Sequence, residues 1–301
     1  MAGFRGLFPP IITTYDDQGN FCEKRFREHI DFLIANQVDG MCIATSTGEF
    51  MNLTPEEHER VLRVGIEQVN GRVPVLAGGA ALSTRAAVEL SRFAETLGYN
   101  GLLIISPWYQ VHTQREIYAH FKAIHEAVSI PIMIYNNQPV TGIQLGFDLL
   151  VRMAEEGIIQ YIKDADSDPF LLSRLRSRLG DTLGLFYGHD NNAIGSFAAG
   201  AIGWVSGASN FDPKRWSRLV HLCIDDVDFR AARKLWYEIM PFMQLVTVGR
   251  NGERPDWIAV IKRGLELRGR KVGSVRPPML PLTPELEADL VQVVRAMTFD
   301  D

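Results

Sequence analysis

Short apolar segments punctuated by glycine and proline recur along the chain, and they predict eight buried strands. Apolar positions in these segments run almost without interruption, a pattern typical of parallel strands that are buried on both faces. The stretches between them are long enough for crossover helices. The predicted strands span residues 8–14, 39–45, 73–78, 101–106, 131–135, 158–163, 184–188 and 201–207.

The stretches between the strands carry signals for the starts and ends of helices. Thr54 and Thr113 are each followed three residues later by glutamate, the spacing of a capping box at a helix N-terminus. Gly71, Gly98 and Gly180 each follow an amphipathic run, where helices often end in the left-handed conformation that glycine tolerates. These signals predict that helices alternate with the strands.

Eight strand–helix units most simply close into a barrel, because closure removes both edges of the sheet. We therefore predict an α/β protein with a (β/α)8 TIM barrel over residues 1–212. The alternative is a doubly wound open sheet, but residues 13–16 do not form the glycine-rich loop expected after its first strand. Helical patterns continue through residues 213–301 with no flexible linker, so we expect a C-terminal helical extension and a single domain over 1–301.

Composition and charge restrict the classes of binding partner and the cellular location that we expect for this protein. The 301 residues carry a formal net charge of −5 and show no basic stripe, which argues against nucleic acid as a partner. We find no apolar run long enough for a membrane span, and the N-terminal segment lacks the apolar core of a secretion signal. We expect a cytoplasmic protein that does not bind a membrane.

Cysteine and histidine patterns predict neither a disulfide framework nor a metal site. The three cysteines form no CxxC pair, and the seven histidines form no HExxH motif. Five histidines lie in helical patterns and are expected at the surface: His29, His58, His120, His125 and His221.

The reactive groups of an α/β barrel gather at the carboxyl ends of its strands, where this sequence has few polar residues. Lys163 lies in the apolar run of the sixth strand. Burial there would disfavour its charged form and leave an amine that can attack a carbonyl carbon. The alternative is a structural lysine paired with Asp164, Asp166 or Asp168, and spacing alone leaves both possibilities open.

Further candidates follow the other strands. Tyr135 ends the fifth strand and could shuttle protons in the same cavity, unless its hydroxyl simply bonds a backbone carbonyl. Ser46, Thr47 and Gly48 offer hydroxyls and backbone N–H groups that suit a carboxylate, although a plain polar loop is the alternative. His189 follows the seventh strand and is either a site residue or an ordinary loop histidine.

The order and spacing of these residues resemble the dihydrodipicolinate synthase and N-acetylneuraminate lyase family of Schiff-base lyases over nearly the whole chain. The resemblance implies a pyruvate-dependent class I aldolase or lyase that needs no cofactor and no metal. The matching segments are Ser46-Thr47-Gly48-Glu49, Ser106-Pro107-Trp108-Tyr109, Tyr135-Asn136, Lys163, Gly188 and residues 200–207.

The resemblance assigns roles to the central residues. It implies that Lys163 condenses with the ketone of a small 2-oxo acid substrate to give a protonated imine, which acts as an electron sink. Tyr135 would shuttle protons during imine formation and C–C bond cleavage. The hydroxyls and amides of Ser46 and Thr47, with Gly48 beside them, would hold the substrate carboxylate.

Other roles implied by the resemblance concern the rim of the site and the assembly. Gly188, His189 and the main chain near Val205 are expected to line the same pocket. Tyr109 matches a family tyrosine that reaches into the site of a neighbouring subunit. The resemblance therefore implies a homotetramer built as a dimer of dimers.

One departure from the family bears on the reaction. Family synthases place an arginine in the turn after the fifth strand to hold the carboxylate of aspartate semialdehyde, and Val140 stands there in this sequence. We therefore expect an aldolase or lyase that makes or breaks a C–C bond in a 2-oxo acid with pyruvate as product or substrate, and not a true dihydrodipicolinate synthase. The alternatives are a dehydratase or deaminase using the same imine chemistry, a 4-hydroxy-tetrahydrodipicolinate synthase, and a non-catalytic barrel that binds a small acid.

Overall fold

Eight parallel strands form one sheet in which neighbours along the chain are also neighbours in space. The computed structural model describes residues 3–166, 168–249 and 256–299. The sheet has the order β1-β8-β7-β6-β5-β4-β3-β2. Its strands are β1 (Gly6–Leu7), β2 (Met41–Ile43), β3 (Val75–Gly78), β4 (Gly101–Ile105), β5 (Ile132–Asn136), β6 (Tyr161–Asp164), β7 (Gly184–Tyr187) and β8 (Gly203–Trp204).

Helices follow the strands and then continue without them. Those of the barrel are α1 (Glu23–Ala35), α2 (Pro55–Val69), α3 (Thr84–Thr96), α4 (Gln114–His125), α5 (Gln138–Thr141), α6 (Phe147–Glu155), α7 (Leu171–Leu179) and α8 (Ala193–Ala198). The C-terminal ones are α9 (Pro213–Ile224), α10 (Phe229–Thr247), α11 (Trp257–Leu267) and α12 (Pro284–Ala296). The predicted TIM barrel with a C-terminal helical extension is confirmed. The predicted division into one domain stays a prediction.

The helix ends form where the sequence signals them. The hydroxyls of Thr54 and Thr113 each take part in a reciprocal capping box with the glutamate three residues on. Gly71, Gly98 and Gly180 have φ values of 70°, 89° and 56°, a region that residues with a side chain rarely adopt. These local interactions fix the lengths of the connections that carry the chain from one strand to the next.

The first strand lies upstream of its predicted position, because prolines interrupt it. β1 covers only Gly6–Leu7, and Pro9 and Pro10 lack the backbone N–H that a longer ladder needs. Pairing with β2 still occurs, since Cys42 N donates to Pro9 O at 2.9 Å and Ile11 N donates to Cys42 O at 2.9 Å. These bonds bring the two ends of the sheet together and close the barrel.

Apolar side chains fill both faces of the closed sheet. The larger cluster lies between strands and helices, and a smaller one fills the barrel interior, where Tyr135 packs at its edge. This double burial explains why the strand sequences show no alternation of apolar and polar residues. The interior cluster consists of Phe4, Phe8, Cys42, Leu76, Leu103, Met133, Phe186 and Val205.

Two of the histidines expected at the surface are buried instead, so that prediction is wrong for them. His29 Nε2 lies 2.9 Å from Asn210 Oδ1, and His120 Nδ1 lies 3.0 Å from Thr84 Oγ1. Burial lowers the pKa of both histidines to about 4. A helical pattern does not distinguish them from exposed histidines, because each forms one polar contact within an otherwise apolar face.

Two expectations from composition concern the described part of the chain. No helix within residues 3–166, 168–249 and 256–299 is both long and apolar enough to cross a membrane. The same residues contain no group of three or more His, Cys, Asp or Glu side chains placed to hold a metal ion.

The buried His29 predicts a loss of stability in mild acid. Below about pH 6.5 the unfolded chain binds a proton at this residue that the folded chain excludes, so stability should fall as the pH drops toward 4. His29→Gln keeps a donor for Asn210 and removes the titration. We expect the loss of unfolding free energy between pH 7 and pH 5 to be smaller in this variant by about 2 kcal/mol, measured by urea unfolding.

The matched control is His125→Gln at the end of α4, where the side chain is only partly buried. It should leave the pH dependence of the wild type unchanged. Equal losses of unfolding free energy in the wild type and in His29→Gln would contradict the prediction.

Candidate active site

Lys163 and Tyr135 lie side by side within the barrel. They are register partners on β6 and β5, and Lys163 Nζ lies 3.7 Å from the centroid of the Tyr135 ring. Lys163 is 5% exposed. Within the described ranges, no carboxylate lies at ion-pair distance from its Nζ, so the alternative of a structural salt bridge is not what the structure shows.

The glycine at the end of β7 makes room for the lysine. A Cβ atom on Gly188 would lie 2.8 Å from Lys163 Cγ and 2.9 Å from its Cε, closer than real side-chain contacts. Gly188 N also donates to Asp164 O at 2.7 Å. The backbone of β7 therefore passes directly against the lysine stem, and any larger residue would displace it.

The hydroxyl of Tyr135 is oriented by the turn that follows β5. It accepts a hydrogen bond of 2.7 Å from Asn137 Nδ2. Among the residues that the structure describes, no backbone carbonyl accepts a hydrogen bond from this hydroxyl, in contrast to the alternative prediction. Sequence reasoning missed Asn137, although its place two residues after the tyrosine was a usable signal.

A second pair joins the same two strands on the opposite side of the sheet. Asn136 Nδ2 donates to Asp164 Oδ1 at 2.8 Å, and both side chains are buried. Burial raises the pKa of Asp164 to about 7, although the bond from Asn136 acts in the opposite direction. Because side chains alternate along a strand, this pair lies behind Tyr135 and Lys163 and fixes their two strands together.

The turn after β2 lies at the same end of the barrel. Ser46–Gly48 forms a short 3-10 turn, in which Thr47 is buried and Ser46 is partly exposed. Thr13 Oγ1 donates to Gly48 O at 2.6 Å. A Cβ atom on Gly207 would lie 3.4 Å from Thr47 Oγ1, so the turn touches the chain just after β8.

The ends of β7 and β8 add further polar groups. Trp204 Nε1 donates to His189 O at 2.7 Å, which fixes the loop after β7, and Val205 is buried inside the barrel. The Ser206 hydroxyl donates to Asp190 Oδ1 at 2.5 Å. Burial raises the pKa of Asp190 to about 6. Sequence reasoning selected His189 from this loop and missed the neighbouring carboxylate.

Buried polar atoms without a partner mark the same end of the barrel. Among the described residues they include Thr45 Oγ1, Ser106 Oγ and Asn136 Oδ1, which stand at or just beyond the carboxyl ends of β2, β4 and β5. Such atoms normally find a hydrogen-bond partner. Their position is consistent with a small polar ligand or ordered water at this end.

Tyr109 is the one candidate that stands away from the others. Its side chain is 85% exposed in the loop after β4, where the Phe50 and Trp108 rings meet at 5.6 Å. All the other candidates lie at the carboxyl ends of β2, β5, β6, β7 and β8. The reach of Tyr109 into a neighbouring subunit stays a prediction.

The chain is similar to known proteins over almost its full length. A sequence model of the Dihydrodipicolinate synthetase family matches residues 3–297. The 4-hydroxy-tetrahydrodipicolinate synthase of Bradyrhizobium diazoefficiens is 34% identical over 280 residues, which cover 93% of this chain and 92% of that protein.

Two solved structures show the same architecture. The dihydrodipicolinate synthase of Aquifex aeolicus superposes with a TM-score of 0.90 at 29% identity, covering 97% of each chain. The chloride-inhibited dihydrodipicolinate synthase of Acinetobacter baumannii, complexed with pyruvate, superposes with a TM-score of 0.89 at 30% identity, covering 97% of this chain and 98% of that one.

The chain therefore belongs to the dihydrodipicolinate synthetase family. It is a lyase of the class I, pyruvate-dependent aldolase type. Enzymes of this family hold the substrate ketone as an imine on a lysine of the protein and use no external cofactor. The family resemblance expected from the sequence is confirmed.

Proposed function

We propose that this enzyme forms an imine between Lys163 and pyruvate, or a pyruvate-like 2-oxo acid, and uses it to make or break a C–C bond. The observation that carries the proposal is the buried Lys163 amine, 3.7 Å from the Tyr135 ring centroid and without a carboxylate partner among the described residues. The pyruvate complex of the Acinetobacter baumannii relative supports the choice of ligand.

The chemistry follows from the electron demand of the imine. The Lys163 nitrogen attacks the ketone carbon, and loss of water leaves a protonated C=N bond. In a 4-hydroxy-2-oxo acid the C4 hydroxyl then gives its proton to a base and its oxygen forms the C=O bond of the leaving aldehyde. The C3–C4 bond breaks, and its electron pair flows into the iminium cation to give an enamine. Protonation at C3 and addition of water then release pyruvate, and condensation is the reverse sequence.

Tyr135 and the turn after β2 would serve these steps in different ways. Tyr135, whose hydroxyl accepts a hydrogen bond from Asn137, would move protons at the nitrogen and at the leaving oxygen. Ser46, Thr47 and Gly48 would bind the carboxylate through hydroxyl and amide donors, and Gly188, His189 and Val205 would line the remaining wall.

Two candidates remain for the condensation partner, and different observations favour them. The names of the relatives favour 4-hydroxy-tetrahydrodipicolinate synthase, in which the partner is aspartate semialdehyde. The turn after β5 favours another aldolase, acting on a sugar-acid or aromatic-degradation type of 2-oxo acid. Val140 stands there, 59% exposed on α5, and offers no charge to a second carboxylate.

We also propose a cytoplasmic homotetramer built as a dimer of dimers, with Tyr109 completing the site of a partner subunit. Tyr109 and Val111 after β4 and Val140 on α5 are large apolar residues with exposed side chains. A Cβ atom on Gly142, just after α5, would lie 3.5 Å from Val111 Cγ2, so the two segments are neighbours. Contiguous exposed apolar residues of this kind favour an interface between subunits.

Borohydride trapping tests the imine directly. In the presence of pyruvate, reduction should convert the C=N bond into a stable secondary amine on Lys163, detected by peptide mass analysis. Lys163→Arg, which keeps the charge but is not a usable nucleophile, should form no adduct and lose catalysis by about a thousandfold or more.

The matched control for this experiment is Lys122→Arg on the exposed face of α4. It should trap pyruvate like the wild type. Absence of an adduct on Lys163 in the wild type would refute the proposed imine. Thermal stabilisation by 2-oxo acids without any turnover would instead support the non-catalytic barrel.

Val140→Arg separates the two candidate partners. If the wild type is another aldolase, its kcat/KM with aspartate semialdehyde should be low, and the new guanidinium should raise it by about tenfold, because it pairs with the second carboxylate. Val111→Arg, on the adjacent loop, is the control and should not raise it. Efficient use of aspartate semialdehyde by the wild type, unchanged by Val140→Arg, would favour the synthase.

Analysis of the reaction products distinguishes an aldolase from a dehydratase or deaminase. An aldolase acting on a panel of 2-oxo acids should release pyruvate and an aldehyde in equal amounts. Release of water or ammonia with the carbon chain intact would identify a dehydratase or deaminase.

Subunit mixing tests the role of Tyr109. Exchange of pyruvate C3 protons for deuterium, followed by NMR, reports enamine formation without a known aldehyde. Lys163→Met and Tyr109→Phe should each be slow alone, but a refolded mixture should regain exchange, since some dimers pair an intact lysine with an intact tyrosine. No recovery on mixing, or a monomer in sedimentation analysis, would refute the shared site.

A further inference from the structure

A buried ion pair joins the C-terminal extension to the turn after β2. Lys262 on α11 is 1% exposed, and Glu49, which directly follows the Ser46–Gly48 turn, is fully buried. The Lys262 ammonium donates a hydrogen bond to Glu49 Oε1, across 213 positions of sequence. It also donates to Ser274 O at 3.1 Å. The C-terminal extension therefore contacts the turn after β2 through the buried ammonium group of Lys262.

Glu49 is held from a second position on the same extension. Arg276 N donates to Glu49 Oε2 at 3.0 Å, so both carboxylate oxygens of Glu49 are bonded. The Arg276 guanidinium donates to Asn52 O at 2.9 Å and pairs with Glu57 at 2.6 and 2.7 Å. Both ends of the segment 49–52 are thus fixed by residues that lie outside the barrel sequence.

The backbone at Glu49 shows why the turn needs this support. Glu49 has φ 55° and ψ 35°, a left-handed conformation that is unfavourable for a residue with a side chain. Such conformations persist only where the surroundings hold them. Since Glu49 ends one 3-10 turn and begins the next, its carboxylate contacts determine where the donors of Ser46–Gly48 point.

We propose that Glu49 and Lys262 are positioning residues for the carboxylate of the 2-oxo acid. They hold the Ser46–Gly48 turn in its binding geometry and do not touch the substrate. This inference rests on the proposed function. The donors of the turn are uncharged, so the affinity depends on the direction of each hydrogen bond. Displacement of the turn should weaken binding while leaving the amine of Lys163 in place.

Two variants and one control test the positioning role by pyruvate trapping on Lys163 over a range of pyruvate concentrations. The double variant Glu49→Gln with Lys262→Met removes both charges, so that neither is left buried and unpaired. Glu49→Asp keeps both charges and shortens the side chain by one methylene. The control Arg263→Met breaks the Arg263–Glu287 pair on the outer face of the same helix.

The two readouts are the half-saturating pyruvate concentration and the maximal adduct per chain. In both site variants the half-saturating concentration should rise about tenfold, the effect of losing one well-directed hydrogen bond to a charged group, with the maximal adduct unchanged. Arg263→Met should stay within about twofold of the wild type, since a partly exposed ion pair contributes little.

Each other outcome decides against the inference. A half-saturating concentration close to that of the wild type in folded variants overturns it, as does a reduced maximal adduct with an unchanged half-saturating concentration. If thermal melting shows that neither variant folds, the pair is structural and the inference fails. If the wild type itself forms no adduct at any pyruvate concentration, the proposed imine on Lys163 is refuted. This result differs from failure of the positioning role, in which the wild type forms the adduct.

Discussion

The packing of one amine inside a closed sheet is the constraint on which the site depends. Lys163 occupies an interior that apolar side chains otherwise fill, and its stem leaves no space for a Cβ atom on β7. The lysine therefore requires Gly188 beside it on one side and the face of Tyr135 on the other. The contact between Lys163 Nζ and the Tyr135 ring, 3.7 Å from the ring centroid, also fixes the direction in which the lysine side chain points.

Much of the fold could be predicted, because its signals are local. Parallel strands buried on both faces read as continuous apolar runs, and capping boxes at Thr54 and Thr113 mark helix starts within four residues. The first strand could not be placed this way, since Pro9 and Pro10 lie within an apolar run but cannot donate to a ladder. Its true pairing depends on contacts with β8 and β2, which lie far along the chain.

The sequence predicts those site residues that are recognisable within their own strand segment. Lys163 and Tyr135 are polar groups in apolar runs, and their register pairing follows once β5 and β6 are neighbours. Asp190 was missed because Ser206, which donates a hydrogen bond to it, lies 16 positions further along the chain, just after β8. Lys262 was missed because its partner is distant, although its place between the buried residues Ile261 and Leu265 of α11 was a usable signal.

Strand residues and rim residues serve different parts of the proposed reaction. Sequence identity of about one third with named synthases therefore does not determine the partner substrate. Lys163 and Tyr135, which carry the proposed imine chemistry, lie on paired strands whose register and packing leave little freedom. The proposed partner half would be formed by the segments after β4 and β5, where Tyr109 and Val140 are exposed and can change without disturbing the barrel. A second carboxylate would need a cation to offset its desolvation, and one side chain in the turn after β5 can supply or withhold that charge. On the proposed function, the imine chemistry would therefore depend on residues in the barrel interior, whereas the choice of aldehyde would depend on a few side chains at its mouth.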